Sequence, residues 1–219
     1  MSLIRTTKLQ NLKDFSVSLV EKNDKKYYNI LDNKGQFLFI QTPYLQNPFS
    51  ITDYKDNKKY GLTLNVSEDE YKIFENFKDN LLQKVFNNEQ ILKDTKKKIK
   101  NVDVLESLFY FPTKMNEVEE NKYFSVKVGF NSDYEDKDML KLNVFLQKEK
   151  VQTRQVKELN EMLGLRNTCL YVLKPSLYVV GGNIGVTFKV ELMKMKEDAR
   201  DNKIIEKMEE ISFEVLDDE

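Results

Sequence analysis

The chain has 219 residues, a formal net charge of −1, and hydrophobic and charged fractions of 40% and 32%, which suit one soluble domain with a sizeable core. It has no histidine and one cysteine, Cys169, which excludes histidine-dependent catalysis and an internal disulfide and argues against a zinc site. Apolar runs are short and MSLIRTTKLQNLKDF lacks a signal-peptide core, so we expect an intracellular protein without a membrane span.

Short runs with a strand-like pattern occupy the first third of the chain. Polar turns separate these runs, and Asn33, Lys34 and Gly35 are typical of a hairpin turn. In the last run, Leu62, Leu64 and Val66 alternate onto one face, which indicates a half-buried strand. The four predicted strands are FSVSLV (15–20), KYYNIL (26–31), GQFLFIQT (35–42) and GLTLNV (61–66).

The strongest predicted helix follows directly. Ser67 and Glu70 have the spacing of a capping box, which marks the start of a helix. The apolar residues after it recur at helical spacing, so we expect this helix to pack on the sheet with its aromatic side chains in the core. These residues are Tyr71, Phe74, Phe77, Leu81, Leu82 and Val85.

A second group of strands fills the rest of the body. The polar NSDYEDKD segment between the first two of them is predicted to be a hairpin loop, and a short helix over 154–163 ends at Gly164. Gly181 and Gly182 predict a tight turn with positive φ, and Gly185 marks a bulge or a close backbone approach. The predicted strands are KYFSVKVGF (122–130), MLKLNVFLQ (139–147), CLYVLK (169–174), SLYVV (176–180) and IGVTFKVELMKM (184–195).

These elements predict a mainly β fold with inserted helices. An OB-fold-like Greek-key barrel, closed or half-closed and with N-terminal strand extensions, is the economical choice, and a β-sandwich is the alternative. We predict a domain over 1–196 and an acidic, flexible tail over 197–219. The tail holds ten acidic and three basic residues, a net charge of −7, which leaves 32 basic and 26 acidic residues, or +6, in the body.

The outward faces of the predicted strands carry lysines and isolated aromatic rings. Tyr123 and Lys127 share one outward face, Lys141 and Phe145 share another, and Lys189 points outward from the last strand. Cations along phosphates and rings on which bases stack are what single-strand binding needs. The simpler interpretation is that 31 lysines must occupy any exposed face. With only four arginines, sequence-specific reading of duplex DNA is disfavoured.

No sequence motif for catalysis or for a cofactor is present, so an enzyme is disfavoured and no cofactor is expected. The acidic clusters SEDE (67–70) and DYEDKD (133–138) could hold Mg²⁺, although such clusters are usually solvated helix starts or turns. A Mg²⁺-dependent nuclease is therefore a rival hypothesis. Its carboxylates would be Glu68, Asp69, Asp133 and Asp136.

Four segments resemble the single-stranded-DNA-binding proteins of nucleo-cytoplasmic large DNA viruses, a family related to the T7-type phage proteins. The similarity extends over about residues 36–192, and the glycine signature and the IQTP segment are its most specific parts. The segments are FLFIQTPYLQNPF (37–49), YGLTLNV (60–66), FPTKM (111–115) and GGNIGVTFK (181–189).

The resemblance implies an OB-fold protein without catalytic activity that binds single-stranded DNA, independent of sequence, in viral replication, recombination or repair. Its location would be the cytoplasm or nucleus of an infected cell. Tyr178 and Phe188 stand where the family is expected to have tryptophans. The acidic tail, with its late aromatic Phe213, is similar to phage tails that occupy the basic groove and recruit replication proteins. A virion structural or scaffold protein is the main alternative, and RNA binding and homodimerisation stay open.

The parity of the strands and the resemblance together define a candidate binding groove. Lys114 and Lys189 enter it through the resemblance as well. The predicted groove residues are Tyr44, Lys114, Tyr123, Lys127, Lys141, Phe145, Lys174 and Lys189.

Overall fold

In the computed structural model of the chain, residues 2–9, 12–22, 25–46, 49–54, 58–146, 148–163 and 168–196 are described. The predicted tail over 197–219 and the helix-ending Gly164 lie outside the described residues.

The chain contains short strands, one long helix and several short helices. The helices are α1 (Thr6–Leu9), α2 (Glu68–Phe86), α3 (Glu89–Thr95), α4 (Val102–Glu106) and α5 (Val156–Leu163). The first seven strands are β1 (Ser2–Arg5), β2 (Phe15–Lys22), β3 (Lys25–Asp32), β4 (Leu38–Gln41), β5 (Leu45–Gln46), β6 (Thr52–Asp53) and β7 (Tyr60–Val66). The others are β8 (Phe109–Tyr110), β9 (Thr113–Val118), β10 (Asn121–Gly129), β11 (Asn143–Leu146), β12 (Glu149–Val151), β13 (Thr168–Val180) and β14 (Asn183–Lys196).

The described strands form one sheet, built around the long antiparallel hairpin of β13 and β14. Its main path has the order β1-β4-β13-β14-β10-β7-β6. Strands β3 and β5 also pair with β13, β8 and β11 pair with β14, and β9 pairs with β10. Over the described ranges no pairing joins β6 back to β1, so the sheet does not close into a ring. The predicted mainly β fold with inserted helices is confirmed, in an open form.

Helix α2 covers one face of this sheet, as its periodicity predicts. The predicted capping box forms: the Ser67 hydroxyl accepts from the Glu70 N–H, and the Ser67 N–H donates to the Glu70 carboxylate. Phe74 and Phe77 are fully buried, and the ring of Phe74 lies 5.5 Å from that of Phe188 on β14. We call the sheet face that packs on α2 the inner face and the opposite one the outer face.

The predicted hairpin between 122–130 and 139–147 is wrong. Strand β10 pairs with β7 and β9, whereas β11 pairs with β12 and, in parallel, with β14. The connection is closed only by an isolated bridge between Ser132 and Leu140, and regular pairing resumes at Asn143. Aspartate side chains such as Asp136, which accepts from the Asp138 N–H, hold this connection in local turns instead of a strand ladder.

The predicted strands CLYVLK and SLYVV are one continuous strand, β13. Pro175 lies inside this strand. On the side of β13 away from β14, the paired strand changes at Pro175 from β4 to β3, so neither of these two ladders requires the N–H that proline lacks. The β13–β14 register shifts between Val172 and Leu173, which leaves Glu191 as an extra residue on β14. This bulge reverses the alternation beyond it, so Met193, which unbroken alternation from Lys189 would turn outward, is buried.

Across the described ranges, no helix combines the length and the apolar character that crossing a membrane requires.

Candidate nucleic-acid interface

Three tyrosines lie in one row across the outer face. Tyr27 of β3 pairs with Tyr178 of β13, Tyr178 pairs with Gly185 of β14, and Gly185 pairs with Tyr110 of β8. Residues that are direct partners across neighbouring strands point to the same face of a sheet. Tyr27 and Tyr110 are 40% and 51% exposed, and Tyr178 is half-buried between them. We call Tyr27, Tyr178 and Tyr110 the tyrosine row.

Gly185 supports the middle ring of this row. A Cβ atom added at Gly185 would lie 2.1 Å from Cζ of Tyr178, so the ring rests directly over the glycine backbone. Neither alternative predicted for Gly185 is found as such: the bulge lies at Glu191, and the close approach is made by a cross-strand ring rather than by another backbone. The absence of a side chain at Gly185 therefore lets the Tyr178 ring lie flat against β14.

Two lysines face each other next to the tyrosine row. Lys174 of β13 and Lys189 of β14 are direct partners, four residues along each strand from Tyr178 and Gly185. The ammonium group of Lys174 lies 3.9 Å from the centre of the Phe37 ring, and that of Lys189 donates to the Phe130 carbonyl over 2.9 Å. These contacts fix the position of both cations on the outer face.

The environment of Lys189 is largely desolvated. Its side chain crosses Gly129, where an added Cβ would lie 3.0 Å from Nζ. Burial lowers the pKa of Lys189, and the charge of Lys59 lowers it further. Burial thus disfavours the charged form of Lys189, and an anionic ligand oxygen beside it would stabilise that form.

Glu191, the bulge residue, places a carboxylate beside both lysines. Burial raises the pKa of Glu191, while Lys174 and Lys189 act in the opposite direction. The positive charge of this part of the outer face therefore depends on the protonation of one glutamate.

The outer face continues onto β10 and β9. Gly129 of β10 pairs with Lys189, and Lys127 and Tyr123 are two and six residues earlier on the same side of that strand. Lys114 of β9 pairs with Ser125, which has the same parity. Five of the eight predicted groove residues thus share the outer face in register. They are Lys114, Tyr123, Lys127, Lys174 and Lys189.

Two more predicted residues lie toward the opposite end of the β13–β14 hairpin. Phe145 of β11 is half-buried and pairs with Lys194 of β14. Tyr44, between β4 and β5, has its ring 6.0 Å from the ammonium group of Lys196. Phe145 therefore extends the outer face away from the tyrosine row, whereas Tyr44 lies outside the strands and no register assigns it to a face.

Lys141 is exposed and alternates with the buried Leu140 and Leu142, as its predicted parity requires, but it does not lie in a strand. This lysine precedes β11, its N–H donates to the Asn131 carbonyl, and its ammonium group pairs with Asp133 at 3.5 Å. No strand register therefore places Lys141 beside the other residues of the outer face.

Phe188, which the resemblance places at a tryptophan position, does not reach the outer face. It is fully buried and packs against Phe74 and Phe111. Tyr178, the other such position, is on the outer face.

Sequence reasoning missed several aromatic residues of the outer face. Tyr27 and Tyr110 belong to the tyrosine row, and Phe37 carries Lys174 on its ring. The doublet Tyr27–Tyr28 contained a signal, because adjacent residues of a strand face opposite sides and one of the two had to point outward. Tyr28 is the buried member of the doublet.

The carboxylates of the nuclease hypothesis do not converge. Glu68 pairs with Lys72 on α2, whereas Asp133 pairs with Lys141 in the 131–140 connection. Within the part of the chain that the structure describes, no three Asp, Glu, Cys or His side chains are grouped so that they could hold a metal ion.

No family model matches the chain, and no curated protein matches it. Among solved structures, the chain is similar to the single-stranded DNA-binding protein of bacteriophage Enc34. Its C-terminally truncated form is 12% identical, with a TM-score of 0.48 and coverage of 83% of this chain and 95% of that chain. Its complex with single-stranded DNA gives 12% identity, a TM-score of 0.49 and coverage of 83% and 96%. The single-stranded DNA-binding protein gp2.5 of bacteriophage T7 is 14% identical, with a TM-score of 0.34 and coverage of 74% and 87%. All three TM-scores are below 0.5, and the similarities assign neither a family nor a function to the chain.

Proposed function

We propose that this protein binds single-stranded DNA, independent of its sequence, along the outer face of the sheet. The observation that carries the proposal is the register of that face. Tyr27, Tyr178 and Tyr110 lie in one row across neighbouring strands, directly beside the facing pair Lys174 and Lys189.

The chemistry of the outer face fits a flexible polyanion with exposed bases. Stacking on an aromatic ring contributes about 1–3 kcal/mol per base and tolerates every base. Lysines attract phosphates as point charges and do not read base edges. With rings and cations on one surface, affinity is expected for single strands of any sequence, and much less for a duplex whose bases are stacked inside.

The family resemblance of the sequence extends the proposal. It supports a non-enzymatic viral protein that acts in replication, recombination or repair within the infected cell. The acidic segment 197–219 would compete with the strand for the outer face and recruit replication proteins.

Fluorescence anisotropy with a labelled oligothymidylate tests the proposal. Wild-type protein should bind the single strand, bind a duplex of equal length more weakly, and leave the strand intact with and without Mg²⁺. Strand cleavage that requires Mg²⁺ would indicate the nuclease, and no binding at low salt would favour the scaffold protein.

The variant Tyr178→Ala locates the site. Losing one stacking ring should weaken binding by about 1–3 kcal/mol. Tyr134→Ala is the matched control, because Tyr134 is 84% exposed in the 131–140 connection, outside the tyrosine row. Equal affinities of the two variants would exclude the tyrosine row as the binding surface.

Truncation after residue 196 tests the tail. A tethered segment with a net charge of −7 should reduce the affinity of a body with +6, so its removal should tighten binding, most clearly at low salt. Unchanged affinity together with a lower melting temperature would show instead that the segment stabilises the fold.

A further inference from the structure

A cleft opens at one end of the tyrosine row, where two hairpins separate. Pairing between β3 and β13 stops at Tyr27 and Tyr178. Beyond that row, β3 continues beside β2 while β13 continues beside β14. The resulting gap has a volume of about 640 Å³, within the range of small-molecule sites. Its walls include Lys26, Tyr27, Lys93, Asp94, Lys96 and Tyr178.

The C-terminal end of α3 forms one wall of the cleft. A Cβ atom at Gly182 in the hairpin turn would lie 2.9 Å from the Thr95 carbonyl oxygen, so the turn packs directly on the end of α3. Lys97 reinforces this contact, since its ammonium group donates to the Asn183 side chain over 3.2 Å. These contacts hold the segment KDTKKKIK (93–100), the lysine run, beside the tyrosine row.

The charges in the cleft are arranged for a doubly charged anion. Three lysines and one aspartate line it, for a net charge of +2. Asp94 accepts hydrogen bonds from Lys26 (2.7 Å), from Gln90 (3.1 Å) and from the Tyr28 hydroxyl, so its charge is compensated within the protein. Lys93 pairs at 3.3 Å with Glu89, an exposed and weak interaction. Lys96 makes no ion pair with any described residue, and its αL conformation ends α3 at the cleft.

We propose that this cleft binds the phosphorylated end of a single strand, with the terminal base against Tyr27 and Tyr178 and the terminal phosphate on Lys93 and Lys96. The proposal rests on the proposed function. A terminal phosphate monoester carries close to two negative charges at neutral pH, whereas each internal phosphodiester carries one.

The test compares oligothymidylates with 5′-phosphate, 3′-phosphate or only hydroxyl ends, by competition anisotropy at constant salt. One phosphorylated end should increase affinity about tenfold over the hydroxyl form, the effect of one charge-assisted contact set. The end that gives the increase defines the polarity of the bound strand. Equal affinities of all three oligonucleotides would overturn the proposal while leaving single-strand binding intact.

Lysine variants distinguish binding of the terminal phosphate in the cleft from a general effect of positive charge on affinity. Lys96→Gln and Lys93→Gln should abolish the preference for the phosphorylated end, so that each variant binds the phosphorylated and the hydroxyl forms with equal affinity. Lys98→Gln is the control, because Lys98 is an exposed lysine of the same run that does not line the cleft. A preference that persists in Lys96→Gln and Lys93→Gln would place the terminal phosphate elsewhere and overturn the proposal.

Titration with thymidine monophosphate distinguishes a strand end from a free nucleotide. Weak binding that depends on Lys96, together with a preference for one phosphorylated end, supports the proposal. Binding of the mononucleotide that depends on Lys96, without any preference among the oligonucleotides, would overturn it in favour of a free nucleotide.

Discussion

At the scale of single residues, the outer face depends on the contact between one tyrosine ring and one glycine. Tyr178 rests on Gly185, and the glycine is needed because its partner ring occupies the space of a Cβ atom. The sequence marks Gly185 as unusual inside a strand, but the position of Tyr178 follows only from the register of β13 on β14.

The variant Gly185→Ala tests this contact. The new methyl group would displace the Tyr178 ring, so we expect a loss of about 1–3 kcal/mol in the free energy of unfolding, the usual cost of overpacking. In the Tyr178→Ala background the loss should be smaller, with a coupling of about 0.5–3 kcal/mol. Urea denaturation of the four proteins measures it.

Gly129→Ala is the control for that cycle. An added Cβ there would lie 3.0 Å from Nζ of Lys189 and would meet no atom of Tyr178, so its loss should be the same with and without the Tyr178 ring. Equal losses for Gly185→Ala with and without the Tyr178 ring would contradict the contact.

The variant Glu191→Gln tests the electrostatics of the outer face. The ionised form of Glu191 opposes phosphate binding beside Lys174 and Lys189, so removing its charge should raise single-strand affinity roughly two- to tenfold. Wild-type affinity should increase as the pH falls through the raised pKa of Glu191, and the variant should lose this trend. A pH series of anisotropy titrations measures both.

The stability of the fold should follow the same titration. The pKa of Glu191 in the folded state lies above its ordinary value of 4.5, so the folded protein holds the proton to higher pH than the unfolded chain. The stability from this group is therefore complete below about pH 4.5 and declines as the pH rises through the raised pKa. Glu68→Gln, on α2, is the matched control, and an identical pH trend in Glu68→Gln and Glu191→Gln would contradict the assignment.

At the scale of elements, strands and helices could be predicted where the apolar pattern within one segment determines its structure. The alternation of Leu62 and Leu64 and the apolar stripe of α2 gave the correct strand and helix, because burial of one face is encoded within each segment. The partner of β11 could not be predicted this way. Its pairing with β14 depends on an edge that β10 leaves uncovered after Gly129.

Removing the capping box of α2 tests whether a loss of fold stability changes the affinity for single-stranded DNA. Ser67→Ala should reduce the free energy of unfolding by about 0.5–2 kcal/mol, because it removes the side-chain acceptor for the Glu70 N–H. Single-strand affinity should not change, since α2 packs on the inner face. Ser107→Ala, at the exposed end of α4, is the control for serine removal. A loss of affinity that follows the loss of stability would mean that the two faces are coupled.

At the scale of the whole molecule, the candidate site is formed by the register between strands that are distant in sequence, and no single segment contains it. Lys127 and Tyr123 could be assigned a face from one strand, but their alignment with Lys189 requires the parallel pairing of Gly129. Tyr27 and Tyr178 meet across β3 and β13, far apart in the sequence. For this reason the sequence predicted most lysines of the outer face and missed most of the tyrosine row.

Binding by the whole outer face should depend strongly on salt. If about five phosphates are neutralised, log K against log[salt] should have a slope near −3.5 on single strands. Raising the salt from about 50 to about 200 mM would then reduce affinity about a hundredfold. A flat response would mean that the lysines of the outer face do not contact the backbone.

Photocrosslinking of an iodouracil-substituted single strand to the full chain, with the crosslinked residues identified by mass spectrometry, tests the central claim most directly. Bases stacked on the outer face should crosslink to the tyrosine row, first to Tyr178 and its neighbours Tyr27 and Tyr110. Crosslinks concentrated on α2 or on Tyr134, with none in the tyrosine row, would contradict the account.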